Sequence, residues 1–301
     1  MVTVINGTHT AQLLKSAISN EIKALKQHHD LHPSLAIICI GENVASKIYV
    51  RSKRVQAEEV GINAQEYYFN KSVSEDELIH HIQGLNRDPQ VHGIIVQLPL
   101  PSSLNMRRVV NSIDPSKDVD GLHVLNVGRL ACGEDTIVPC TPLGCLLLLR
   151  SQCAVLSGLH VLVIGRSILV GKPMAALLLQ QDCTVTVAHS KTRALAQLSQ
   201  TADIIIAALG QPLFIQKHWV KPRAIVLDVG INRLENGSIV GDVDFKAVSE
   251  VAGAITPVPG GVGPMTVACL LLNTTLVTAQ QHDIPLTYLP SSPIRDSWCP
   301  S

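Results

Sequence analysis

The 301-residue sequence has few aromatics: three Phe, four Tyr and two Trp, 3% in all. Its core must then be filled by Val, Ile, Leu and Ala, which favours a parallel-sheet α/β protein over a β-sandwich. There is no excess of either charge, with 24 Lys and Arg against 24 Asp and Glu. A neutral chain lacks the electrostatic footprint for nucleic acid or an anionic membrane surface, so neither is an expected partner. No two of the eight cysteines (Cys39, Cys132, Cys140, Cys145, Cys153, Cys183, Cys269 and Cys299) are spaced C-x-x-C. The usual zinc-ligand spacing is therefore missing, and no metal is expected. Several cysteines sit in apolar runs such as Ile37-Ile38-Cys39, as buried free thiols in a reducing compartment do. The first 20 residues lack the pattern of a signal or transit peptide. The most apolar stretch, 265–279, is short for a bilayer span and carries Thr and Asn. A cytoplasmic protein is expected.

What is present points to layered α/β structure. Hydrophobic residues are 46% and charged residues 16%, so the chain can bury a sizeable core. At about 100–200 residues per domain, the length predicts two domains. Short apolar runs at 35–40, 64–69 and 93–96 are predicted strands, with helices at 11–28, 46–60 and 75–85. Ser74 followed by Glu77 is a capping box opening the third of these helices. A second set follows, with strands at 160–164, 184–188, 203–207 and 224–228 and helices at 172–180 and 193–200. Strand–helix alternation predicts parallel sheets covered by helices on both faces. The reading is two parallel-sheet α/β units joined near 120–142, with a substrate cleft between them, and a further helix at 264–281. The stretch 283–301 has four prolines and little periodicity, as a loose tail would.

The segment Val161 to Pro173 reads as an apolar strand, a turn holding Gly165, Arg166 and Ser167, and a helix start. Backbone N–H groups of such a turn, with the helix N-terminus, bind a pyrophosphate. The spacing departs from G-x-G-x-x-G, because Ser167 replaces the second glycine and Gly171 comes one residue late. The next strand ends at Ala188-His189-Ser190-Lys191. An NAD site has a carboxylate there to accept from the ribose 2′-OH. Arg166, Ser190 and Lys191 instead suit a 2′-phosphate, which favours NADP; the plain alternative is that Ser190 caps the following helix.

Tyr49 and Lys53 are one helical turn apart and share a face. A lysine serves as acid or base only when burial brings its pKa down from about 10.4 towards 7–8. Gln97 lies at the carboxyl end of a predicted strand, where α/β proteins hold ligands. A neutral amide there would hold an amine without strongly favouring its charged form. Lys117-Asp118-Val119-Asp120-Gly121 offers two acids beside a glycine, and spacing does not choose between Asp118 and Asp120. Thr256 to Thr266 packs three prolines and three glycines ahead of a helix, a stiff loop allowing close backbone approach to a ligand. X-Pro bonds there and at Leu98-Pro99 are candidates for the cis form.

Together these segments resemble the bifunctional methylenetetrahydrofolate dehydrogenase/methenyltetrahydrofolate cyclohydrolase family. The resemblance rests on Ser46-x-x-Tyr49-x-x-x-Lys53, Val96-Gln97-Leu98-Pro99-Leu100-Pro101 and Lys117 to Gly121. It also rests on Gly165-Arg166-Ser167, Asp228-Val229-Gly230-Ile231-Asn232, Gly241-Asp242-Val243 and Thr256 to Thr266. These occur in the family's order from about residue 2 to residue 280, leaving the tail outside. The resemblance implies a catalytic, folate-binding domain over 1–120, completed by the helix 264–282, and a Rossmann-like NADP-binding domain over 121–263. It implies a homodimer joined through the Rossmann domains. It implies NADP-dependent oxidation of 5,10-methylenetetrahydrofolate to the 5,10-methenyl cation, then hydrolysis to 10-formyltetrahydrofolate. By this resemblance Lys53 is the acid/base, Tyr49 stacks on the folate, Gln97 holds Lys53, and Asp120 rather than Asp118 grips the pterin. Val96, Leu98, Pro259, Gly260, Gly261, Val262 and Gly263 contact substrate. Gly165, Arg166, Ser167, Ser190 and Ile231 bind the cofactor, with Arg166 and Ser190 near the 2′-phosphate. The competing readings are a monofunctional dehydrogenase and a non-catalytic nucleotide-sensing module.

Overall fold

The computed structural model describes residues 2–41, 44–290 and 292–294, and of residues 44–49 the backbone alone. In chain order the first half forms β1 (Thr3–Val4), α1 (Gly7–His29), β2 (Ser34–Ile40), α2 (Val44–Val60), β3 (Asn63–Phe69), α3 (Glu75–Arg87), β4 (Gly93–Val96), α4 (Met106–Val110), α5 (Val124–Cys132) and α6 (Cys140–Gln152). The second half forms β5 (His160–Ile164), α7 (Gly171–Leu179), β6 (Thr184–Ala188), α8 (Leu195–Ser199), β7 (Ile204–Ala207), β8 (Ile225–Asp228), β9 (Asn232–Arg233), β10 (Ile239–Val240), α9 (Phe245–Val248), β11 (Ala254–Ile255) and α10 (Val262–Gln281). The chain divides into two compact units, Leu14–Cys140 with Val267–Asp296, and Met1–Leu13 with Thr141–Thr266.

The first of these units is built on a parallel sheet in the order β3-β2-β4. β2 is buried at every position, which is why its sequence SLAIICI reads as a continuous apolar run rather than an alternating one. Helix α3 opens where the Ser74 side chain accepts from the Glu77 N–H at 3.1 Å, satisfying one orphan donor of its first turn. Its buried residues Leu78, Ile82 and Leu85 form one stripe. That stripe belongs to a core cluster with Ile38, Ile94 and Val96 of the sheet. Beyond β4 the chain returns alongside it: Asp118 bridges Ile94 in parallel, and the Ile94 N–H donates to the Lys117 carbonyl at 2.7 Å.

The second unit is built on a six-stranded sheet in the order β1-β11-β8-β7-β5-β6, every pairing within it parallel, with β9 and β10 paired antiparallel apart from it. The chain runs from β5 to β6 on one side, then crosses to β7 on the other. Strand order therefore reverses beside β5, the switch point where doubly wound sheets bind ligands.

These units depart from the predicted segments in three places. Residues 2–13 go with the six-stranded sheet, because β1 pairs with β11 as its edge strand. A two-residue strand carries no periodicity to be read. Residues 121–140 go with the other unit, tied to it by the Asp118 carboxylate, which accepts from the His123 N–H at 2.8 Å and from the Asn126 amide at 3.0 Å. The expectation of a loose tail is corrected for its described part. One carboxylate oxygen of buried Glu21 accepts backbone N–H groups of Thr287 at 2.9 Å, Tyr288 at 2.5 Å and Leu289 at 3.1 Å. Leu289 and Ile294 are buried.

Helix α10, at 20 residues, is longer than predicted and long and apolar enough by composition to cross a membrane. Yet 83% of its most apolar 18-residue window is buried inside the protein. Among the described cysteines Cys39, Cys140, Cys145, Cys183 and Cys269 are buried, as expected of several, while Cys153 is half-buried and Cys132 exposed.

Candidate active site

In the unit built on β3-β2-β4, Lys53 lies on α2 and is only 6% exposed. Its Nζ donates to Gln97 Oε1 at 2.9 Å. Gln97 follows β4 directly, with its backbone N–H on the Ile38 carbonyl at 2.8 Å and its own Nε2 on the Leu98 carbonyl at 2.7 Å. Both ends of the amide are thus used, which sets its orientation. The Leu98–Pro99 bond is cis, as its candidacy anticipated. Burial pushes the Lys53 amine below its ordinary pKa, opposed by the charge of Asp120 and by the nearby Cys140 and Cys39. Gln97, being neutral, leaves that shift standing where a carboxylate would cancel it. The backbone of Tyr49 lies one turn earlier on α2; its side chain and that of Ser46 lie outside the described residues.

The two acids that spacing leaves open take different places. Asp118 is buried, and its carboxylate is taken up by the loop to α5, accepting from His123 and Asn126. Burial still raises it to about 6. Asp120 is half-buried and faces Lys53 and Cys140; burial raises its carboxyl, while Lys53 and the Cys140 thiol pull it back. Gly121 has φ +69°, and a Cβ there would stand 2.7 Å from the Pro139 nitrogen. Only glycine lets the chain turn so soon after Asp120. Lys53, Gln97 and Asp120 are thus brought together, with Val96 buried and Leu98 half-buried beside them. Cys140 joins them without having been singled out in the sequence. A thiol in an apolar run carries no signal of an acidic neighbour.

In the other unit, Gly165 ends β5 with φ +131°, and a Cβ there would lie 2.2 Å from the Ala208 carbonyl oxygen. At Gly171, opening α7, a Cβ would lie 2.1 Å from the Gly165 oxygen. The two glycines let strand, turn and helix meet closely, as a phosphate-binding turn requires. Ser167 Oγ accepts from the Val170 N–H at 3.1 Å and closes this turn on itself. Arg166 and Ser190 are exposed, and no carboxylate follows β6 directly. Helix α8 begins after Ala194 with no side-chain cap, so Ser190 does not cap it. Ile231 is 64% exposed. The turn therefore fits a dinucleotide, and its polar surroundings fit a 2′-phosphate better than a bare ribose.

The Pro/Gly loop follows β11. Val258–Pro259 is cis, Gly260 has φ +100°, and its carbonyl accepts the Thr8 N–H at 3.1 Å. Pro259 is exposed and Gly260 and Gly263 are half-buried, whereas Gly261 and Val262 are packed inside. Gly7 and Gly261 approach so closely that a Cβ on Gly7 would lie 1.8 Å from the Gly261 oxygen.

Two further acids brace this unit. Buried Asp228 accepts from the N–H groups of Gly230 at 3.0 Å, Asp242 at 2.9 Å and Val243 at 2.9 Å. Buried Asp242 accepts from the N–H groups of Leu209 at 2.6 Å, Gly210 at 3.0 Å and Gln211 at 2.9 Å, and from the Asn232 amide at 2.8 Å. Their motifs stand out in the sequence, but nothing there distinguishes a bracing carboxylate from a reacting one.

Residues 5–120 match the model of the tetrahydrofolate dehydrogenase/cyclohydrolase catalytic domain, and residues 139–282 that of the NAD(P)-binding domain of the same family. The bifunctional protein FolD 2 of Paracoccus denitrificans is 51% identical over 286 residues, 94% of this chain and 95% of the relative. The crystal structure of the FolD methylenetetrahydrofolate dehydrogenase/cyclohydrolase from Campylobacter jejuni superposes with a TM-score of 0.92 at 44% identity, covering 93% of this chain and 100% of that one. The Trypanosoma brucei methylenetetrahydrofolate dehydrogenase-cyclohydrolase, complexed with NADP and an inhibitor, superposes with a TM-score of 0.89 at 35% identity, covering 94% and 98%.

Proposed function

The chain belongs to the tetrahydrofolate dehydrogenase/cyclohydrolase family, and from that premise we propose that it is a bifunctional enzyme of one-carbon metabolism. It oxidises 5,10-methylenetetrahydrofolate to the 5,10-methenyl cation with NADP, then hydrolyses the cation to 10-formyltetrahydrofolate. The observation that carries the hydrolytic step is the buried Lys53 amine held by neutral Gln97.

When bound, NADP supplies a nicotinamide ring that accepts the hydride. Gly165, Arg166 and Ser167 would hold its phosphates, Arg166 and Ser190 its 2′-phosphate, and Ile231 would contact it from the loop after β8. The hydride step asks the protein mainly for alignment and exclusion of water. The hydrolytic step asks for proton transfer. Water adds to the methenyl carbon, and the neutral Lys53 amine takes a proton from it. The hydroxyl on that carbon then gives up its own proton and becomes the formyl carbonyl as the bond from the carbon to N5 breaks; N5 takes a proton, and the formyl group stays on N10. One proton is released overall. Asp120 grips the pterin, and Val96, Leu98 and the loop from Pro259 to Gly263 complete the substrate contacts. Gly261 and Val262, being packed inside, shape this loop rather than present side chains.

The protein is further read as a cytoplasmic homodimer joined through its six-stranded units. Strand β6 is an edge strand with Val187 exposed, and Leu179 at the end of α7 is exposed as well, which leaves apolar surface for a partner copy.

The test is a spectroscopic assay with 5,10-methylenetetrahydrofolate and either NADP or NAD, following both products. Wild type forms 10-formyl product faster than uncatalysed opening and prefers NADP. Lys53→Met accumulates the methenyl product, its hydrolytic rate down about 10²–10⁴-fold with NADP binding unchanged. Methenyl accumulation by wild type would leave a monofunctional dehydrogenase. No turnover with either cofactor would leave a nucleotide-sensing module.

A further inference from the structure

Asn273 sits on α10, 1% exposed, 154 residues in sequence from Val119. Its Nδ2 donates to the Val119 carbonyl at 2.9 Å and to the Val138 carbonyl at 2.9 Å, and lies 3.7 Å from Cys140 Sγ. Two carbonyls can only accept, so the amide's orientation is settled by its partners. The Val119 carbonyl belongs to the peptide from which Asp120 grows. The Cys140 thiol also points at that carbonyl, at 3.4 Å, and lies beside the Asp120 carboxyl. The preceding residue, Asp118, is anchored by its own bonds to the loop before α5 and within it. One amide thus joins the strand of chain carrying Asp120 to the strand carrying Cys140. Without it the buried Val138 carbonyl would lose its amide donor and the Val119 carbonyl would be left with the weaker thiol, a costly exchange.

Resting on the reading of Asp120 as the folate-gripping residue, we infer that Asn273 is a positioning residue for substrate: it holds the 119–120 peptide so that Asp120 meets the folate ring. It touches no reacting atom in this scheme, so its removal weakens folate binding in both reactions and leaves the cofactor side alone.

The test is a double-mutant cycle on the full-length enzyme with Asn273→Leu and Asp120→Asn, reading KM for folate, KM for NADP, kcat and Tm. If Asn273→Leu does not fold, Asn273→Ala takes its place. In the wild-type background the variant loses both hydrogen bonds, and the one to the Val119 carbonyl, which places Asp120, accounts for a rise in KM for folate of about tenfold, with KM for NADP unchanged. In the Asp120→Asn background it raises KM for folate less than twofold, because its effect passes through Asp120. The same factor in both backgrounds, or a lower Tm with KM for folate unchanged, overturns the proposal. Wild-type turnover is measured first. Its absence counts against the proposed reactions, whereas normal wild-type turnover with an unchanged KM in the variant counts against Asn273 alone.

Discussion

Lys53 and Asp228 are both almost wholly buried, at 6% and 3% exposure, and lie in different units with opposite surroundings. The Asp228 oxygens receive three backbone N–H groups from two loops, which hold the buried carboxyl down to about 6 against desolvation. The Lys53 amine rests on a neutral amide, and burial lowers its pKa. One charge is surrounded by donors that favour its ionised form, and so it staples loops. The other is held where its neutral form gains, and so it can exchange a proton. Burial alone does not mark a reacting group; the partner's polarity does.

Removing each side chain sharpens that contrast. Asp228→Ala leaves three backbone N–H groups without their acceptor and is expected to cost about 3 kcal/mol or more in denaturant unfolding. Lys53→Met removes a buried amine that burial already penalises, and its stability is expected to equal or exceed wild type. Equal losses in the two variants would erase the distinction.

On the cofactor side, Arg166→Ala is expected to weaken NADP about tenfold, the loss of one charged hydrogen bond, and to leave NAD nearly unaffected. Equal weakening of both cofactors in a binding titration would move Arg166 off the 2′-phosphate.

The smallest effects concern pH. The hydrolytic rate is expected to rise with pH as Lys53 loses its proton, with an apparent pKa below the ordinary lysine range of about 10.4. A pH-rate profile of Gln97→Glu, which would favour the charged amine, should move that rise upward. Asp228 has the opposite sign in stability. Its folded pKa of about 6 lies above the ordinary 3.8, so the folded state binds its proton more tightly. Its contribution is therefore greatest below the ordinary value and lost as pH rises through 6. The stability difference between wild type and Asp228→Asn should shift towards the variant from pH 4 to 6. A flat difference would mean that Asp228 titrates normally.

Much of the framework is legible in local pattern. Strands β2, β4, β5 and β6 fall where short apolar runs predict them. β2, β4 and β5 are buried along nearly their whole length and so read as continuous apolar runs, whereas the edge strand β6 alternates Thr and Val. The turn at Gly165 is readable because a strand, a glycine and a helix start occur in direct succession. Segments 106–110, 124–132 and 140–152 are not assigned from sequence. α4 is five residues long, and α6 is buried nearly all round, so neither shows an amphipathic period. The tail is misread because its anchor, Glu21, lies 266 residues from Thr287.

By itself the sequence determined the α/β alternation, the family motifs and the residue types on which the chemistry depends, since these rest on neighbours within a few positions. Only the tertiary structure decided which acid faces Lys53, since Asp118 and Asp120 differ in what distant loops bring to them. Only it revealed Cys140 and Asn273 behind Asp120, and Glu21 under the tail. Those contacts join segments more than a hundred residues apart or across separate elements, and hydrogen bonds at such range leave no period in the chain.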